Sequence, residues 1–149
     1  LQNEGFDVVI IDDLSNSKIE VLDGITSITG IKPEYVKLDL KEKEKVAEFF
    51  KNHQVDGVIH FAASKAVGES VEKPLKYYEN NISTLVYVLQ KMTKNKVNNF
   101  IFSSSCTVYG QADELPITEN APIKPAESPY GNTKQMGEEI IFDTTKASD

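Results

Sequence analysis

Four short runs of β-branched and aromatic residues, separated by stretches of helical periodicity, limit this chain to one broad architecture. DVVIID (Asp7 to Asp12) is apolar at consecutive positions and ends in acids, the pattern of a buried parallel strand that delivers its last residues to a ligand crevice. EYVKLDL repeats it more weakly, with Asp39 near its end, and DGVIHFAAS and NNFIFSSS are two further runs that end in small residues. Helical patterns fall between and after them, over Lys41 to His53 and Pro74 to Asn95. A last one starts where Ser128 can act as the cap with Pro129 in the first turn, and it runs through Lys146. Such alternation predicts an α/β domain whose parallel sheet is wrapped by crossovers. Ligands of these sheets bind beyond the carboxyl ends of the strands, where the acids and small residues lie. The longest candidate loop, Gln111 to Ser128, separates the serine run from the final helix.

Length and charge narrow the function. The 149 residues, 40% of them hydrophobic, suffice for one domain with a real core. A formal net charge of −7 argues against nucleic acid or a membrane surface as partner, since both want clustered positive charge. All 16 lysine or arginine positions are lysines, so a diphosphate would be held by backbone N–H groups, lysines or hydroxyls, without an arginine fork. Cys106 is the single cysteine, which excludes an internal disulfide; with only two histidines, His53 and His60, apart in sequence, no metal site is expected, and a reducing, cytoplasmic setting is. No run has the unbroken apolar length of a membrane span. LQNEG at the start reads as the last turn of a helix with Gly5 as its stop, which predicts that a preceding strand and turn are absent from these residues.

Two hydroxyl-bearing segments compete for the chemistry. In SPYGNTK, Tyr130 and Lys134 are four apart and share one helix face, so the ammonium favours the phenolate and makes the tyrosine a usable base. Tyr87 and Lys91 repeat the spacing, but in the middle of an amphipathic helix where an aromatic belongs to the core. In SSSCTVYG, the serines lack the flanking glycines of a nucleophile turn and both histidines lie upstream, so a serine hydrolase is a poor reading. For Ser104 the expected role is to satisfy nearby backbone groups, and for Cys106 it is buried packing.

Taken in order, DVVIIDDLSNSK, VIHFAASKAVGESVEKPLKYYENN, SSSCTVYG and SPYGNTK resemble the UDP-glucose 4-epimerase family of the extended short-chain dehydrogenases/reductases, over almost the whole chain. KAVGESVEKPL is the most specific of these stretches. The resemblance implies a partial Rossmann-like, doubly wound parallel sheet over residues 1–149, lacking the first strand, the Gly-rich loop and the substrate domain. It implies NAD as cofactor. Asp12 would accept the adenosine ribose hydroxyls, with Asp13, Asn16 and Ser17 at the same end and Asp39 and Leu40 flanking the adenine. Phe61, Ala62 and Ala63 would form the strand end against the pyrophosphate, Lys65 would reach the nicotinamide-side ribose, Asn80 would touch the cofactor, and Ser103 would line the nicotinamide region. Relatives often carry glycine at the position of Ala63, an apolar residue at that of Ser64 and alanine at that of Cys106.

For catalysis the resemblance implies Tyr130 as base for the sugar 4-hydroxyl, Lys134 as the ribose-binding cation beside it, and Ser105, with Thr107 nearby, bridging the sugar oxygen and Tyr130. The implied substrates are UDP-galactose and UDP-glucose, interconverted through a 4-keto sugar, and family members often form homodimers. A 4,6-dehydratase is disfavoured because Cys106 and Thr107 stand where that family has Asp-Glu. The remaining alternatives are another NAD-dependent nucleotide-sugar epimerase and a truncated, non-catalytic remnant. The isolated chain is expected neither to hold NAD firmly nor to turn over substrate.

Overall fold

The computed structural model describes residues 1–147. A 3-10 turn, Gln2–Glu4, stops at Gly5, whose φ of 84° is left-handed and whose N–H bonds the Gln2 carbonyl, as the opening LQNEG predicts. Then come β1 (Val9–Asp12), α1 (Val21–Thr29), β2 (Glu34–Lys37), α2 (Lys43–Asn52), β3 (Gly57–His60), α3 (Val67–Glu72), α4 (Pro74–Lys94), β4 (Asn99–Phe102), a second 3-10 turn (Cys106–Tyr109) and α5 (Pro129–Lys146). All four expected strands exist, each shorter than its apolar run. The ladder ends where side chains begin to bond the backbone: Asp12 accepts the Leu14 N–H, and Asp39 accepts the Lys41 N–H. α1 and α3 were not legible as helices beforehand.

Pairing is parallel throughout. β1 lies beside β2 with Val9 opposite Glu34 and Asp12 opposite Lys37, and β3 lies beside β4 with Gly57 opposite Asn99 and His60 opposite Phe102. The predicted α/β class holds, but among the described residues the sheet is two separate pairs, so β1 and β3 each have a single ladder neighbour. What joins the pairs is the core. Leu38, Val46, Phe49, Phe50, Leu85, Val88, Leu89 and Met92 form it, with Val9, Ile11 and Val36 packed on it from one sheet and Val58, Phe100 and Phe102 from the other. These contacts come from alternate residues of each strand. The intervening Ile59 and Ile101 are exposed, so the expectation of strands buried on both faces is corrected: helices cover one face only among the described residues.

α4 carries the longest apolar stripe and packs along α5. Its start is fixed by Glu69 of α3, whose carboxylate accepts from Lys76 at 2.8 Å, Tyr77 at 3.0 Å and Lys73 at 3.3 Å. Those three donors, Lys76 foremost, hold the Glu69 carboxyl down at about 2. Among the described residues no helix is long and apolar enough to cross a membrane, and no cluster of ligating side chains could hold a metal ion.

Candidate active site

The tyrosine helix begins as its sequence dictates. Ser128, in extended backbone, accepts the Gly131 N–H at 3.1 Å, and Pro129 occupies the first turn. This places Tyr130 at the mouth of α5 and Lys134 one turn further in. Gly131 allows close approach: an added Cβ would lie 3.2 Å from the Thr107 carbonyl oxygen and 3.3 Å from its Cβ, tighter than most such contacts. Gln135 locks the corner by donating to the carbonyls of Val108 at 2.7 Å and Lys124 at 2.6 Å. The end of β4, the second 3-10 turn and the first turns of α5 therefore form one body.

Lys134 is 4% exposed, and its ammonium donates to the Ser103 carbonyl at 2.7 Å. It stands 6.0 Å from the centroid of the Tyr130 ring. Burial pulls its pKa below the usual lysine value. Ser105 caps the 3-10 turn, and its hydroxyl oxygen accepts from the Thr107 N–H at 3.3 Å and the Thr107 hydroxyl at 3.0 Å. Its own proton has no acceptor among the described residues, so it can be donated to a ligand oxygen. Ser103, Ser105, Thr107, Tyr130 and Lys134 are thus gathered at one strand end.

A second group gathers beyond β1 and β2. One Asp12 carboxylate oxygen accepts from Leu14 N–H at 2.7 Å and from the Ser17 hydroxyl at 2.6 Å. Burial raises the neighbouring Asp13 carboxyl, but the Ser15 hydrogen bonds and the nearby Lys41 charge outweigh it, and the net shift is downward. Lys41 also reaches Asp39 at 3.5 Å, and Leu40 packs against the core. Beyond β3, Phe61 and Ala62 are exposed and Ala63 half-buried. Asn16 and Lys65 are exposed and form no hydrogen bond or ion pair with the other described residues.

Asn80 is half-buried and donates to the Asn81 side chain at 3.1 Å. Asn81 is the joint between groups. Its amide accepts the Ser64 N–H at 2.8 Å and donates to the Ser64 carbonyl at 2.9 Å and to the Thr133 hydroxyl at 3.0 Å. Thr133 in turn donates to the Tyr130 carbonyl at 2.7 Å. The segment after β3 is in this way tied to the tyrosine turn.

A family model described as "NAD dependent epimerase/dehydratase family" matches residues 1–149. The chain belongs to that family. It is 42% identical over 147 residues to the UDP-glucose 4-epimerase of Neisseria meningitidis serogroup A, covering 99% of this chain and 43% of that protein. To the UDP-glucose 4-epimerase of Bacillus subtilis it is 45% identical over 143 residues, covering 96% and 42%. The crystal structure of UDP-glucose 4-epimerase from Bifidobacterium longum in complex with NAD+ and UDP superposes with a TM-score of 0.94 at 41% identity, covering 98% of this chain and 44% of that one. The chain spans under half the length of these relatives.

Within this family member, several expectations need correction. Cys106 is exposed at the start of the 3-10 turn, not buried packing. Ser104 donates to the carboxylate of Glu138 on α5, a side chain, where a backbone partner was expected. Tyr87 is half-buried rather than core, and its ring is covered by the ammonium of Lys43 from α2 at 5.3 Å. Asn81, His60, Phe102 and Gly137 were missed as site residues. Only the asparagine pair in YYENN offered a local signal.

Proposed function

We propose that these residues are the NAD-binding part, itself a partial Rossmann domain, of a UDP-glucose 4-epimerase that interconverts UDP-galactose and UDP-glucose. The observation that carries the reading is a buried ammonium, Lys134, held beside Tyr130 at a strand end that also presents Ser105 and Thr107. Identity above 40% to curated epimerases supports the same conclusion.

The residues present fit NAD. An ionised carboxylate has about four acceptor sites. Asp12 uses two of them internally, which leaves capacity for ribose hydroxyls. With Asp13 beside it, the corner would repel a 2′-phosphate. Asn16, Ser17, Asp39 and Leu40 would complete the adenosine end, Phe61, Ala62 and Ala63 the pyrophosphate side, and Lys65, Asn80 and Ser103 the nicotinamide half. When bound, NAD supplies a hydride acceptor for sugar C4 and returns the hydride to it, so the reaction has no net redox change.

The chain's own residues handle protons and charge. Tyr130 takes the proton of the 4-hydroxyl and later returns it. Lys134 stabilises the phenolate that takes this proton and re-forms when it is returned, and binds the cofactor ribose. Ser105 donates its free proton to the sugar oxygen and keeps it in reach of Tyr130. Incubating UDP-galactose with the complete protein tests the reading: UDP-glucose should accumulate to equilibrium, and its absence would refute the proposal.

A further inference from the structure

A buried ammonium needs compensation. Lys134 has one hydrogen-bond acceptor among the described residues, the Ser103 carbonyl, although an ammonium carries three N–H donors. No carboxylate among the described residues lies within ion-pair range of it. Glu138, one turn further along α5 and at the spacing that could pair with it, is engaged by the Ser104 hydroxyl.

The compensation comes from a ring. The ammonium sits 4.7 Å from the centroid of Phe102, closer than to Tyr130, and the face of an aromatic ring attracts cations. That ring is tightly located. A Cβ added at Gly137 would come within 2.8 Å of Phe102 Cζ and 3.2 Å of Cε1, so only a residue without a side chain lets β4 and α5 approach this closely. In the neighbouring strand, His60 is the register partner of Phe102 and lies nearly parallel to it, with centroids 6.1 Å apart and planes at 20°. His60 is buried, its Nε2 has no hydrogen-bond partner, and burial first and the Lys134 charge second keep it neutral. The titratable groups around Lys134 are therefore Tyr130 and Glu138 on its own helix and His60 from β3.

We propose that Phe102 is a positioning residue for Lys134: its ring, admitted by Gly137 and flanked by a neutral His60, keeps the ammonium charged and aimed at the Ser103 carbonyl. The functional consequence rests on the epimerase reading, in which that charge serves Tyr130 and the ribose; the geometry does not.

Fluorinated phenylalanines placed at position 102 of the full chain weaken the ring's negative face stepwise with little change of shape. The Lys134 pKa, followed by the NMR shift of its Cε, should fall with each added fluorine, by about one pH unit across a series ending in trifluorophenylalanine. An identical Lys134 titration across the fluorine series would overturn the proposal, whether or not the protein epimerises UDP-galactose. Absent epimerisation by the wild type would instead refute the functional reading and leave the titration as the judge of the ring.

Discussion

Adding one methyl group at two helical glycines should change stability in opposite directions. In a solvent-exposed helix interior, Gly→Ala gains about 1 kcal/mol, because alanine has less backbone freedom to lose. Gly24 in α1 is such a site, with nothing within 4 Å of an added Cβ. At Gly137 the same methyl would lie 2.8 Å from Phe102 Cζ, 3.2 Å from Cε1 and 3.3 Å from Leu85 Cδ2. Relaxed carbon contacts are about 3.5–4.0 Å, so the ring must retreat by roughly 1 Å or α5 must lift from β4. Neither is easy. The ring is flanked by His60 and the Lys134 ammonium, and Leu85 is 1% exposed within the core. Overpacking of this kind costs about 1–3 kcal/mol, which matches or exceeds the propensity gain. Gly137→Ala should therefore lose up to about 2 kcal/mol net, and Gly24→Ala should gain about 1 kcal/mol. Urea denaturation followed by circular dichroism, with the slope unchanged between variants, reads both values. A Gly137→Ala protein stabilised as much as Gly24→Ala would show that the ring has room, and would refute the packing argument.

Three further outcomes are expected. Tyr130→Phe in the complete protein should cut turnover by about 10²- to 10⁴-fold while NAD binding, measured by calorimetry, stays near wild type; undiminished turnover would remove Tyr130 from the mechanism. His60 is held neutral, with its pKa lowered from 6.5 to about 4, so between those values the unfolded chain binds a proton that the folded one does not. Its contribution is present above pH 6.5 and declines as pH falls towards 4, by about 3 kcal/mol in all, so His60→Leu should show a shallower loss of stability over that window; parallel curves would contradict the assignment. Asn81→Ala leaves the Ser64 N–H and C=O without their partner, which should cost about 2–3 kcal/mol and speed hydrogen exchange at the Ser64 amide. An unchanged exchange rate there would show that Asn81 is not the joint.

Legibility followed locality. The cap at Ser128 and Pro129, the shared face of Tyr130 and Lys134, and the stop at Gly5 depend on residues within one turn of each other, and all three stand in the structure. α1 leaves no helical signal in its sequence because VLDGITSIT is rich in β-branched residues and carries a glycine, which argues against a helix on propensity alone. α3 is six residues long, too short for periodicity to register. The exposure of Cys106 has a related cause: a small side chain is compatible with burial, but only the course of the 3-10 turn sets whether it is covered.

By itself the sequence determined the order of the four strands and of α2, α4 and α5, the acids and small residues that end the strands, and the four-residue spacing that puts a cation near a phenol. Periodicity, capping and backbone sterics act over a few residues, and the chain alone specifies them. Tertiary structure alone decided that the strands pair as two separate ladders, that Asn81 bonds Ser64 and Thr133 across 17 and 52 residues, and that Phe102 fits against Gly137 beneath Lys134. Such contacts depend on how close β4 and α5 can approach, and that distance is set by packing among residues far apart in the chain, which leaves no local trace in sequence.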